Sequence, residues 1–239
     1  MRRAILFGGG AAIAIGAALL ALVRLSGDPR SEPHRAAPAA QPAQSTEAPL
    51  PRGMDARILG FRLLSIADRA EVLAGMEALK KAAEQGDVEA QISLGRILLQ
   101  GVPAVPKDAP RAREWFLKAA PSRHPSAAYF LGIMSQSGQG VEANPAEAAR
   151  WFEIAAEGGS PDAMFQLANA YRAGAGVPKN DKKAVELYEK AGEMEHPAAL
   201  QTLAMAYMYG ELGLKPDPDE QRRYMMAAEH AVKHRPVPP

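Results

Sequence analysis

The chain has 239 residues, with 28 basic and 27 acidic side chains, a formal charge of +1 and no cysteine. A balance this close to neutral gives no footprint for nucleic acid, and the missing thiols exclude a disulfide framework and thiolate metal sites. Hydrophobic residues make up 47% but aromatics only 6%, and much of the apolar content is alanine, so an all-helical protein with closely paired helices is expected.

The first element in chain order is an uncharged run over residues 4–23, preceded by Arg2 and Arg3. As a helix it measures roughly 30 Å, enough to cross a bilayer core. A signal anchor is expected over residues 1–27, because the run is long and the exit ALVRLSGDP offers no clear cleavage site. A cleaved signal peptide is the alternative. Gly8, Ala12 and Gly16 recur every four residues and form a small-residue face for membrane-helix packing, hence a homodimer through that helix. The competing reading is that glycine and alanine are simply common there. The Arg2–Arg3 pair favours a cytoplasmic N-terminus, whereas Arg24, Arg30 and Arg35 argue against it. An anchor followed by a tether places the soluble part outside. The expected location is therefore a single-pass inner-membrane protein with its folded domain in the periplasm, or a secreted or periplasmic form after cleavage.

Residues 28–53 hold six prolines and six alanines in 26 positions. Proline lacks the amide hydrogen and restricts its predecessor, so this segment reads as a disordered linker.

From Met54 the chain repeats itself. Leu94, Leu131, Leu167 and Leu203 are spaced 37, 36 and 36 residues apart, and Gly101, Gly138, Gly174 and Gly210 follow in the same phase. Phe116, Phe152, Tyr188 and Tyr224 lie 36 apart, each followed by a pair of small residues such as Ala155-Ala156. Such a period signals a solenoid of helix pairs. In each pair the first helix carries apolar residues at i, i+4 and i+8, as in Ala163, Leu167 and Tyr171, and ends at a glycine. The second begins at Asp108, Asn144-Pro145, Asn180-Asp181 or Asp217-Pro218, which supply capping oxygens and a first-turn proline. A lone pair cannot bury both apolar faces, so the pairs must stack.

The second repeat, with Ala127, Leu131-Gly132, Gly138, Gly140-Val141, Ala148, Trp151-Phe152, Ala155-Ala156-Glu157 and Gly159, resembles the Sel-one-like repeat of the tetratricopeptide superfamily. The resemblance covers about residues 78–232. It implies an all-α, right-handed α-solenoid of helix-turn-helix repeats, here behind a transmembrane helix and linker. The repeat domain is expected over 54–235, with capping helices at 54–86, repeats at about 87–122, 123–159, 160–195 and 196–234, and a disordered tail at 236–239.

The resemblance also implies a concave surface lined by the first helices and a role as an interaction scaffold. Offsets −2, +2 and +5 from each core leucine give the expected groove: Ile92, Arg96 and Leu99; Tyr129, Ile133 and Gln136; Phe165, Asn169 and Arg172; Gln201, Met205 and Met208. This amphipathic set suits a peptide or helix of a partner protein. No catalytic constellation stands out. His230 and His234 have a chelating spacing on the last helix, yet no acid lies between them, and histidines there also suit the helix dipole. No metal, cofactor or nucleic acid is expected. The expected function is thus a non-catalytic, membrane-tethered scaffold of the bacterial envelope, regulating signalling or assembly. The alternative is an envelope enzyme or glycan-binding protein, with Tyr129, Phe165 and Tyr209 as aromatic platforms.

Overall fold

The computed structural model describes residues 56–57, 59–60, 69–102 and 104–234, all within the compact unit Glu47–Pro239. Among them no helix is long and apolar enough to cross a membrane. The apolar run 4–23 with Gly8, Ala12 and Gly16, the linker 28–53 and the tail 236–239 lie outside the described residues.

Among the described residues nine α-helices follow one another without a β-strand: α1 (Arg69–Glu84), α2 (Val88–Gln100), α3 (Ala109–Ala119), α4 (Pro125–Ser137), α5 (Pro145–Glu157), α6 (Pro161–Ala173), α7 (Asp181–Glu193), α8 (Pro197–Tyr209) and α9 (Pro218–Lys233). Each packs on the helix before it and the helix after it. Helices α2, α4, α6 and α8 are the first members of the repeats; α3, α5, α7 and α9 are the second. The whole is an all-α solenoid.

The helix starts are chemically marked. The side-chain oxygen of Asn144 accepts from the amides of Ala146 and Glu147, both at 3.1 Å, and that of Asn180 accepts from Lys183 at 3.0 Å. Asp87, Asp108, Ser160 and Asp217 cap α2, α3, α6 and α9 in the same way. Each such cap is worth about 0.5–2 kcal/mol.

Side chains from successive repeats share each core. Phe116 of α3 is buried together with Ala127, Leu131 and Met134 of α4, and Phe152 of α5 with Ala163 and Leu167 of α6. Tyr188 of α7 is buried with Leu200 and Leu203 of α8. No pair closes its own core, which is why the pairs stack. At the N-terminal end, Ala56 and Leu59 are buried against Val72, Leu79 and Leu94, and Ser93 donates to the Ala56 carbonyl at 3.1 Å.

Two glycines per interior repeat have separate duties. Gly138 and Gly174, at φ of +74° and +70°, end α4 and α6 in the left-handed conformation. Gly140 and Gly176, also at positive φ, let their loops lie on the start of the previous second helix. A Cβ at Gly140 would sit 2.6 Å from the carbonyl carbon of Ala109, and one at Gly176 would overlap the Pro145 carbonyl. Glycine here sets how closely the repeats approach.

Candidate binding groove

The first helices of three consecutive repeats build a cleft of about 350 Å³. Helix α2 contributes Glu89, Ile92, Ser93, Arg96 and Gln100; α4 contributes Ser126, Tyr129 and Phe130; the start of α6 contributes Ser160 and Asp162. Arg57 closes the N-terminal end. Ile92 is buried in the floor, while Arg96 and Tyr129 are half-buried.

The electrostatics follow from this partial burial. Desolvation pulls the Arg96 guanidinium down from its ordinary range, and the nearby Glu89 charge acts in the opposite direction. Arg96 stays charged, but it is a cation with a reduced water shell, which strengthens its attraction for a carbonyl or carboxylate. Burial, reinforced by the Asp162 charge, pushes the Tyr129 phenol up, so it remains a hydrogen-bond donor.

A recurring clasp forms the rim. His124 Nδ1 accepts from the Ser126 amide at 3.3 Å, capping α4, and its Nε2 lies 3.2 Å from Glu89 of the preceding repeat. His196 does the same two repeats later: Nδ1 accepts from Ala199 at 3.1 Å, and Nε2 lies 3.2 Å from Asp162. The cap fixes the tautomer, because an accepting Nδ1 leaves the hydrogen on Nε2, which donates to the carboxylate. Each histidine therefore ties one first helix to the next. Phe165 stacks on His196 with ring centres 4.9 Å apart.

The twelve residues at the expected groove positions separate into four groups. Ile92, Arg96 and Tyr129 converge on the cleft just described. Gln201 lines a second hollow with Asp162, Met194 and His196. Gln136, Met205 and Met208 are exposed, the two methionines 42% and 52%, and Tyr209 beside them is 60% exposed. The remaining five have intramolecular roles. Leu99 and Ile133 pack against core clusters, and Phe165 packs between His196 and Tyr188. Asn169 accepts from the Tyr188 hydroxyl at 2.6 Å, and Arg172 pairs with Glu211 at 2.9 Å.

Glu89, Gln100, Ser126 and Asp162 belong to the cleft but fall outside the offsets −2, +2 and +5. Glu89, Ser126 and Asp162 stand at offset −5 from their core leucines. Continuing the three-to-four spacing one turn toward each helix N-terminus finds them. Among the described residues no group of three or more histidine or acidic side chains is arranged to hold a metal ion. The rings of His230 and His234 lie 4.2 Å apart, tilted by 38°, with Glu195 4.0 Å from His230.

The repeats match known proteins. The family model for the Sel1 repeat matches residues 79–87, 88–120, 125–160, 161–196 and 197–224. The crystal structure of a Sel1 repeat protein from Oxalobacter formigenes superposes with a TM-score of 0.63 at 29% identity, over 67% of this chain and 65% of that one. The structure of c5321, a protective antigen of uropathogenic Escherichia coli strains with an SLR fold, superposes at 0.65 and 29% identity, over 74% of this chain and 38% of its own. The chain thus spans less than two thirds of either relative's length. No curated protein matches it. Five matched repeats in unbroken phase, folded as helix pairs whose cores are shared between neighbours, place the chain in the Sel1 repeat family.

Proposed function

We propose that the protein is a non-catalytic scaffold that holds a peptide or helix of a partner protein against the face of its first helices. Sel1 repeat proteins mediate protein–protein interactions. The observation that carries the reading is the cleft of α2, α4 and α6, where a partly desolvated cation and a protonated phenol face an open hollow about 350 Å³ in size. The same face becomes apolar toward α8, where Met205, Met208 and Tyr209 are exposed. A ligand fitting both ends has polar backbone or charged groups against the first two repeats and an apolar segment against the last. Selection of a random peptide library on the full-length chain tests this. Selected peptides should lose at least tenfold in affinity to a variant carrying Arg96→Ala and Tyr129→Phe, which removes the guanidinium and the hydroxyl but keeps the ring packed on Phe130 and Phe152. Equal affinity would remove the groove from the account.

The N-terminal part of the reading rests on sequence. The apolar run 4–23 anchors the chain in the inner membrane, the linker 28–53 carries the repeats into the periplasm, and Gly8, Ala12 and Gly16 pair two such helices. Confinement to the membrane raises the effective concentration of an envelope partner, which suits control of signalling or assembly. Fusions of a periplasm-dependent reporter to the C-terminus, with and without residues 1–27, test the anchor and its orientation. Activity that stays in the soluble fraction would favour a cleaved leader.

A further inference from the structure

The second-helix side carries a cleft that the groove reading does not use. It lies between α5 and α7, floored by Met164, Leu167 and Tyr171 of α6, with a volume of about 270 Å³. That is below the roughly 300–1,000 Å³ of small-molecule sites and suits a single side chain.

The repeat phase says which side chain. Trp115, Trp151 and Leu187 occupy one position, 36 residues apart, on α3, α5 and α7. Trp115 and Trp151 each pack against two neighbouring core clusters, and so does Leu187. Leu187 lines the cleft. The first two repeats supply an indole at this seam, and the third supplies a leucine and an opening. Tyr171, where the second repeat has Ser135, fills part of the space and leaves an aromatic floor.

The charges around the opening complement the same ring. Lys118 lies three residues after Trp115 with its ammonium 3.8 Å from the indole centre. Lys190 lies three residues after Leu187 and lines the cleft, so an indole entering there finds a cation at the repeat position that Lys118 holds beside Trp115. The indole nitrogen of Trp151 donates to a carboxylate, Glu147, at 3.2 Å. Glu153 and Glu157 line the wall opposite Lys190 and offer acceptors for that N–H.

The geometry points to the cleft between α5 and α7 as a docking site for a tryptophan side chain of a partner polypeptide, held between the Tyr171 floor and Lys190. The site is independent of the first-helix groove. The probes are acetyl-Gly-Trp-Gly-amide, its alanine counterpart and N-acetyltryptophanamide, titrated into the full-length chain while methyl resonances of Met164, Leu167 and Leu187 are followed. The tryptophan peptide should shift these methyls and bind at least tenfold more tightly than the alanine peptide. Leu187→Trp fills the cleft from within, so it should abolish the shifts while keeping the helical circular dichroism and melting temperature. Lys190→Ala, an exposed change that leaves the fold alone, should weaken the tryptophan peptide two- to fivefold and leave the alanine peptide unaffected. Absence of shifts at millimolar peptide, or shifts retained in folded Leu187→Trp, overturns the proposal. N-acetyltryptophanamide binding more tightly than the peptide makes this a free-indole site and overturns its assignment to a polypeptide.

Discussion

Replacing Gly140 by alanine tests how the repeats are held together. Two effects add at this position. Its φ of +70° is left-handed, which costs an L-residue about 1–2 kcal/mol. The new methyl would lie 2.6 Å from the Ala109 carbonyl carbon and 2.8 Å from its oxygen, backbone atoms at the start of α3 that cannot rotate away. Overpacking of this kind costs about 1–3 kcal/mol. The sum is about 2–5 kcal/mol. Gly213 is the control: its φ is +74°, but nothing lies within 4 Å of its missing Cβ, so Gly213→Ala should cost only the backbone share, about 1–2 kcal/mol. Urea titration followed by circular dichroism, read from the midpoints at constant slope, measures both. If the two variants lose the same stability, the loop of one repeat does not rest on the helix of the previous one, and Gly140 does not set the approach of the repeats.

Gly132→Ala should lose about 1–3 kcal/mol in the same titration, because its Cβ would come 2.5 Å from the buried Phe152 ring, whereas the third repeat already carries Ala168 at this position opposite Tyr188. His196→Ala should cost about 0.5–2 kcal/mol through loss of the α8 cap; His196→Asn should recover most of it, since the asparagine oxygen can accept from the same amide. Burial raises the Tyr188 phenol above its ordinary value, with Arg172 offsetting part of the shift. The neutral form is therefore favoured in the folded state, so stability is fully present below about pH 10 and is lost as pH rises through the folded value. Tyr188→Phe should flatten that alkaline loss, read from melting temperatures between pH 8 and 11.

Much of the fold is legible before any coordinates. The phase shared by Leu94, Leu131, Leu167 and Leu203 with the aromatics of the second helices gives the helix pairs, because a buried stripe recurs every three to four residues and a stack recurs every pair. Asn144, Asn180 and Asp217 mark their helix starts, since few residue types offer an oxygen to orphan amides. The histidine caps are not legible in this way. His124 and His196 resemble solvent histidines until their prolines, Pro125 and Pro197, are read as first helical residues, and their partners Glu89 and Asp162 lie a full repeat away. The groove is half-legible for a related reason. Periodicity gives the face of a helix but not how far along it neighbouring repeats leave space. Arg96 and Tyr129 share the cleft, whereas Asn169 and Arg172, on the same face one repeat or two further on, are taken up by Tyr188 and Glu211. The cleft at Leu187 is written as a departure from the repeat, visible only once Trp115 and Trp151 are seen to fill the equivalent seam.

The most direct test of the scaffold reading is photocrosslinking in the native envelope. A benzophenone amino acid would be placed, in a Leu187→Trp background that fills the second-helix cleft, at Gln100, Gln136 or Met208 on the first-helix face, and at Glu114 or Arg150 on the second helices. All five positions are exposed or half-exposed, so introducing the probe leaves the cores intact. A first-helix scaffold gives a discrete polypeptide adduct from Gln100, Gln136 or Met208 and none from Glu114 and Arg150. Adducts from Glu114 and Arg150 with none from Gln100, Gln136 or Met208 would contradict it.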